Sequence, residues 1–231
     1  IRSKDFAGAR EQLEAVVAKE PGNLEVKLDV IRVIKAGESD TAAEAKLQEY
    51  IAADSDNVDL KFAMSDFYLT TDQDEKAKAL LTTLSSGKDV DVSLRAKNKL
   101  AGILMTEGDN EAARKFVDEI LEADERNTQA LMRRAAFEIE AKDYDQAIVN
   151  LRTVLNNSPD AFEANVLMSA AFEAQGNSSF AQSELAKAFE NSKRDAKVAN
   201  HYAKFLLRRK NDDRAEEVLL DSLAVNAQDI E

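Results

Sequence analysis

Cysteine and tryptophan are absent from the sequence, and glycine and proline are scarce, at 7 and 2 of 231 residues. Without cysteine the chain has no disulfide and no thiolate metal ligand, although this absence fits a reducing and an oxidising compartment equally well. The small number of turn residues, with abundant alanine, leucine, glutamate and lysine, favours helices over strands. No apolar run approaches the roughly 20 residues that span a bilayer, so no membrane insertion of this segment is expected.

The formal net charge of −13 argues against general affinity for nucleic acid or anionic lipid. The only histidine is His201, and the sequence contains no glycine-rich phosphate loop, no nucleophile elbow and no His-Glu-x-x-His motif. Acidic clusters such as "DDRAEE" are typical of solvated helix faces and caps. We therefore expect no catalysis in this segment, no cofactor and no metal site.

An internal repeat runs through the chain. The stretch "KDFAGAREQLEAVVAKEPG" at residues 4–22 returns as "KDYDQAIVNLRTVLNNSPD" at residues 142–160. A spacing of 34 residues, with one interval of 36, connects seven alanines, which we call the register alanines: Ala9, Ala43, Ala77, Ala113, Ala147, Ala181 and Ala215. A repeat at this period is the signature of a stacked array.

Other positions follow the register alanines. The residue four places later is apolar in all seven units, and the residue eight places later is apolar in six. This spacing gives one buried face to a helix, which we call helix B. Twelve places before the alanine, five of the six available residues are small, which lets a preceding helix A approach closely. Each unit is predicted to be helix A, a short turn and helix B, with its register alanine nearly fully buried between helices A and B of its own or the adjacent unit.

Turn residues fall where this arrangement needs them. Gly108 and Gly176 share one position five before the register alanine, and the Asp or Asn residues in "GDNEA", "KDYDQA" and "KNDDRA" are predicted to cap helix B. Pro21 and Pro159 both stand twelve after it, where helix B must stop. The two extra residues of the 36-residue interval are predicted to lengthen the turn within "SSGKDVD", residues 85–91.

A unit with this length and this order of small residue, alanine, bulky apolar residue and proline resembles the tetratricopeptide repeat. The resemblance covers essentially the whole chain, although the family's tryptophan is absent and proline is kept in two of seven units. It implies an all-α, right-handed α-solenoid, a single domain of half a repeat and six full repeats. The expected units are 1–22, 24–57, 58–91, 94–127, 128–161, 162–195 and 196–231, and the headless first unit suggests a piece of a longer protein.

The resemblance also implies a function. In such repeats helix A lines the concave face, which commonly binds peptides. The residues at the inward-facing positions of the A helices make the middle of this candidate groove apolar and rich in methionine. Residues 191–214 hold 8 Lys or Arg and 3 Asp, which makes the far end basic. A non-catalytic scaffold that binds a protein or peptide with an acidic flank is expected. The predicted binding residues are Phe62, Asp66, Leu69, Asn98, Met105, Met132, Ile139, Val166, Asn200, Lys204 and Arg208.

A second interpretation stays open. The stretches "LRTVLNNSPDAFEANVLMSAAFEAQGN" and "LAKAFE" are loosely similar to long bacterial envelope repeat proteins of the exopolysaccharide-export type. In such a protein this segment would be a structural spacer acting through its ends or convex face. That likeness favours the periplasm, although the cytoplasm is equally compatible with the composition. Apolar residues on the last helix and the absence of a polar capping helix make self-association through the ends a further expectation.

Overall fold

The computed structural model describes residues 5–228, with side chains to residue 225, and this part of the chain is helical throughout, with no strand. It contains thirteen α-helices: α1 Phe6–Lys19, α2 Leu24–Gly37, α3 Asp40–Ala53, α4 Val58–Leu69, α5 Asp74–Ser85, α6 Val90–Glu107, α7 Asn110–Ala123, α8 Thr128–Glu140, α9 Tyr144–Asn157, α10 Phe162–Ala174, α11 Ser178–Asn191, α12 Ala196–Arg208 and α13 Asp212–Gln228. The outermost residues of the predicted units 1–22 and 196–231 lie outside the described residues.

The helices group into two compact units. The first contains α1 to α6 and ends at Gly108, and the second contains α7 to α13 and begins at Asp109. Within each unit every helix packs against the next one along the chain. The all-α repeat of helix pairs is thereby confirmed, whereas the single-domain prediction and the handedness of the array stay predictions. The division between the units falls inside the predicted unit 94–127.

The register alanines occupy the helix contacts. Six of the seven are at most 2% exposed, as predicted. All six residues that stand twelve places before them on the A helices are also buried. Ala9 is the exception, since it is half-buried and α1 has no buried residue at all. The prediction is wrong at Ala9: no described helix precedes α1, which packs mainly on α2 and reaches α3 through the ion pair of Glu14 with Lys46.

The two units each have an apolar core built from these positions. In the first unit Val30, Leu47 and Leu60 are at most 1% exposed and join α2, α3 and α4. In the second unit Leu185 and Phe205, each 1% exposed, belong to a cluster that joins α11, α12 and α13. Burying a leucine or phenylalanine side chain stabilises a fold by about 1.5–3 kcal/mol, so the repeated contact is the main source of stability in each unit.

The two extra residues of the 36-residue interval lengthen a helix rather than a turn, which corrects the sequence prediction. Helix α5 ends at Ser85 and α6 begins at Val90, so their loop has four residues, like the loop between α3 and α4. Helix α6 has 18 residues, against 12 in α4 and in α5. The side chain of Asp89 accepts the N–H of Val92 at 3.1 Å, and this cap lets α6 begin one turn early.

The turns within the helix pairs follow the predicted chemistry. Gly108 and Gly176 have φ values of +84° and +80°, which glycine adopts without steric cost. Asp109 and Asp143 accept backbone N–H groups in the first turns of α7 and α9. Pro21 and Pro159 lie just beyond the ends of α1 and α9. Of the three predicted helix B caps, the one in "KNDDRA" has no cap bond recorded.

A second set of caps, on the A helices, was not predicted. Asn23, Asn57 and Asn127 stand fourteen places after a register alanine. The side-chain oxygen of each accepts the backbone N–H of the residue three places later, at 3.1–3.2 Å. Each also donates its side-chain amide to a carboxylate three residues earlier, at 2.9–3.2 Å. The recurrence of asparagine at this position was the signal in the sequence.

Replacing Ala161 with asparagine is expected to raise the free energy of unfolding by about 0.5–1 kcal/mol. Ala161 occupies the equivalent position before α10, which has no side-chain cap. Its φ and ψ, −67° and 82°, are close to the −72° and 99° of Asn57, so an asparagine fits without strain. Urea denaturation measures the change. Asn127→Ala is the matched variant, which removes the equivalent cap from α8 and is expected to lower the free energy of unfolding. The prediction fails if Ala161→Asn raises neither the thermal midpoint nor the urea midpoint of unfolding while Asn127→Ala clearly lowers both.

Candidate peptide-binding face

The predicted binding residues fall in both units, five in the first and six in the second. In the first unit ion pairs link equivalent faces of α4 and α6. Asp59 Oδ1 lies 2.6 Å from Arg95 Nη1, and Asp66 pairs with Lys99. Because these partners are 36 and 33 residues apart, the pairs place successive A helices side by side. All four charged groups lie at the surface, so the pairs add little stability.

Two predicted binding residues of the first unit are buried, which corrects their assignment. Phe62 is 1% exposed, and the guanidinium carbon of Arg95 lies 3.9 Å from the centroid of its ring. Asn98 is 5% exposed and donates its side-chain amide to the carbonyl of Leu94 at 3.2 Å. Both side chains pack helices together and offer no surface to a ligand. The Arg95 side chain lies over Phe62 and occupies the surface position where the repeat register had placed the phenylalanine.

The accessible predicted residues of the first unit are Asp66, Leu69 and Met105. Asp66 is exposed, and the other two are half-buried. Leu69 lies at a cleft of about 430 Å³ between the end of α4 and α6. The acidic residues Asp72 and Asp74 also line this cleft. The first unit therefore presents apolar side chains beside negative charge on its A helices.

In the second unit the predicted residues divide into an apolar and a polar part. The apolar residues Met132, Ile139 and Val166 on α8 and α10 are half-buried, and Asn200, Lys204 and Arg208 on α12 are exposed. Helix α8 packs against α10. One nitrogen of the Arg208 guanidinium, Nη2, lies 3.0 Å from each carboxylate oxygen of Glu173, which joins α10 to α12. The three A helices thus form one continuous face within this unit.

The repeat register identifies one residue that the sequence prediction missed. Leu207 stands 34 residues after Glu173 and 68 after Ile139, and it is 50% exposed on α12. The prediction took Arg208 at this place, one residue too far. Arg208 is held by Glu173, whereas Lys197 and Lys204 on α12 have no ion pair among the described residues. The second unit's A-helix face therefore carries four accessible apolar side chains, Met132, Ile139, Val166 and Leu207, beside Lys204.

A smaller cleft of about 200 Å³ lies between α7 and α8. The Arg114 guanidinium carbon lies 4.1 Å from the centroid of the Phe137 ring, and Arg134 Nη2 lies 2.7 Å from Asp118 Oδ1. Burial raises the pKa of Glu138 above its usual range, although the amide of Asn150 donates to both carboxylate oxygens at 2.8–2.9 Å. Each charged side chain of this cleft thus has a partner within the protein, which makes the cleft a structural contact between helices.

Structures of tetratricopeptide repeat proteins resemble the chain. A tetratricopeptide repeat protein from Parabacteroides merdae ATCC 43184 matches with a TM-score of 0.64 and 18% identity, over 95% of this chain and 93% of that one. MamA from Desulfovibrio magneticus RS-1, from residue 41 to its end, matches with 0.55 and 19%, over 75% and 97%. Cut9-Hcn1, the hetero-tetramer of the APC/C, matches with 0.65 and 15%, over 95% and 44%.

At these identities the comparisons show the fold, and the fold is that of a tetratricopeptide repeat array. The resemblance inferred from the repeat register is thereby confirmed at the level of structure. No protein-family model matches the sequence, and no curated protein matches it. Weak individual repeats explain why an array can keep the fold without a recognisable family sequence: the tryptophan is missing and most units lack the proline.

The described residues contain neither a metal-binding cluster nor a membrane-spanning helix. No group of three or more His, Cys, Asp or Glu side chains within residues 5–228 is arranged to hold a metal ion. Within the same range no helix combines the length and the apolar character needed to cross a bilayer. His201 is exposed on α12. On α13 Leu220 and Leu223 are 57% and 64% exposed, and self-association through such a surface stays a prediction.

Proposed function

We propose that the chain is a non-catalytic interaction scaffold that binds an extended or helical segment of a partner protein on the A-helix face of its second unit. The observation that supports this is the half-exposed apolar set on α8, α10 and α12 beside the unpaired Lys204. A structural neighbour of the same fold occurs in a hetero-tetramer, Cut9-Hcn1, which agrees with a protein partner.

The chemistry of the face defines the partner. Methionine is flexible and polarisable, so Met132 adapts to apolar side chains of different shape. Residues such as Met132 and Ile139 supply most of the affinity when an apolar anchor of the partner removes them from water. Lys204 is exposed and attracts an acidic flank, which mainly raises the association rate because exposed charges are screened beyond about 8 Å at physiological ionic strength.

Met132→Glu is expected to weaken binding of such a partner at least tenfold, since it places a charge among desolvated apolar groups. Peptides for the test are selected from a random library displayed on phage, with the intact chain as bait, and their affinities are measured by titration.

Lys204→Glu is expected to slow association of the same peptides and to flatten the dependence of the association rate on salt, with a smaller effect on dissociation.

The matched control is Val149→Glu, which adds the same charge at a 53% exposed apolar position on the helix B α9. If Met132→Glu leaves every selected peptide bound while Val149→Glu releases them, the A-helix face is not the binding surface. If neither variant changes binding, the proposal fails and the interpretation of this segment as a spacer gains weight.

A further inference from the structure

A second cleft in the same unit is formed by the B helices α9 and α11 together with α10, and it is separate from the face proposed above. Its volume is about 450 Å³, and the apolar side chains Leu155, Met168, Phe172 and Phe180 line it. Clefts lined by aromatic and aliphatic groups with a few polar groups at the edge are the usual form of a binding site.

Phe180 is the most notable of these side chains because it is 61% exposed at the cleft. Its ring centroid lies 5.3 Å from that of Phe172, with the ring planes tilted by 34°. This centroid distance lies within the range of favourable aromatic pairs, so the two rings support each other at the surface. A rigid exposed aromatic residue beside an apolar cleft is typical of an anchor point in a protein interface.

The charges at the cleft are unequal. Glu184 is 7% exposed, and its carboxylate accepts from Asn165 and from Lys187, each at 2.7 Å. Glu184 and Lys187 therefore compensate each other. Arg152 is exposed, and no ion pair is recorded for it among residues 5–225. The cleft is left with an apolar lining and one available cation.

We propose that this cleft binds a segment of a partner protein in which a bulky apolar side chain stands next to Asp or Glu. The apolar side chain enters between Phe180, Leu155 and Met168, and the acidic group meets Arg152. The proposal does not depend on the A-helix face, because none of the residues that line the cleft belongs to it.

Three short peptides with blocked ends serve as probes: Gly-Leu-Asp-Glu-Gly, Gly-Leu-Lys-Lys-Gly and Gly-Ala-Asp-Glu-Gly. The chain has four methionines, so labelling their methyl groups with ¹³C gives four assignable signals in a nuclear magnetic resonance spectrum. Met168 reports on the cleft, Met105 and Met132 report on the A helices, and the buried Met64 is the internal control.

The Leu-Asp-Glu peptide is expected to shift the Met168 signal at millimolar concentration, and to bind at least fivefold more tightly than the other two. Phe180→Ser is expected to remove this shift, whereas Val149→Ser, at another exposed apolar residue of the B helices, leaves it unchanged. Arg152→Glu is expected to reverse the preference, so that the Leu-Lys-Lys peptide binds better. Phe180 is mostly exposed, so its replacement leaves the fold intact, and a thermal unfolding curve checks this.

Two results overturn the proposal. One is a Met168 signal that does not move with any of the three peptides, and the other is an equal response to the Leu-Asp-Glu and Leu-Lys-Lys peptides. If the Met168 signal stays in place while that of Met132 moves, the result supports the A-helix face of the second unit instead, so the two proposals fail independently.

Discussion

Ala147→Leu is expected to lower the free energy of unfolding by about 1–3 kcal/mol. Ala147 has no exposed surface in α9, a helix that packs against both α8 and α10. The three additional carbon atoms must push one of these helices away or take up a strained rotamer, because protein interiors are packed as densely as organic crystals. Urea denaturation followed by circular dichroism measures the change.

Ala9→Leu is the matched control for this prediction. Ala9 holds the same place in the repeat, but it is half-buried on α1, which packs mainly on α2 and has no described helix before it. The larger side chain can extend beside α2 there, so the expected change is within about 0.5 kcal/mol. Equal losses at Ala147 and Ala9 would show that the cost comes from helix propensity or the unfolded state rather than from overpacking.

The repeat itself was predictable because one packing arrangement recurs. Ala43, Ala147 and Ala181 meet the same kind of neighbour in each unit, so one physical requirement leaves one period in the sequence. The prediction at Ala9 failed because no described helix precedes α1, a circumstance that the residue type does not encode. A period describes contacts between successive helices, and it carries no information where a contact is not made.

The position of the two extra residues could not be read from the register. An interval of 36 residues is satisfied by a longer loop or by a longer helix, and "SSGKDVD" contains residues that suit both. The structure takes the second solution, with Asp89 as the cap of the lengthened α6. Aspartate is common in loops and at helix N-termini alike, so composition alone favoured the wrong choice.

The candidate site was only partly accessible to sequence reasoning. Counting along the A helices found accessible residues such as Met132 and Lys204, because helical geometry fixes which positions share a face. It failed at Phe62 and Asn98, where exposure depends on a side chain of the same or the neighbouring helix: Arg95 lies over Phe62, and Asn98 bonds back to its own helix. Such cover is decided by single residues and leaves no period.

The cleft on the B helices was beyond the reach of the register for a related reason. Its lining comes from α9, α10 and α11, and Phe180 has no equivalent aromatic residue at the same place in the neighbouring units. A feature that occurs once in an array is invisible to a comparison between its repeats. Specific function in a repeat protein resides in such departures, since the shared positions are occupied by packing.

Asn165→Leu is expected to lower the free energy of unfolding by about 2–4 kcal/mol, the largest loss predicted for this chain. Asn165 is 2% exposed on α10 and donates to the carboxylate of Glu184 on α11 at 2.7 Å. It also accepts from Asn191, which reaches the carbonyl of Pro159 in the preceding turn. The leucine removes the hydrogen bond and leaves the Glu184 carboxylate buried with Lys187 as its remaining partner.

A double variant separates the hydrogen bond from the packing. When Glu184→Met accompanies Asn165→Leu, both polar groups are replaced by apolar groups of similar size, and the expected loss falls to about 1 kcal/mol. The coupling free energy between the two sites is then at least about 1–3 kcal/mol, measured by urea denaturation of the four proteins. Asn150→Leu is the control, since Asn150 donates to Glu138 in the same way but both residues are half-buried, and its expected loss is below 1 kcal/mol. Additive losses at Asn165 and Glu184, or a loss at Asn150 as large as that at Asn165, would show that the buried pair does not hold α10 and α11 together.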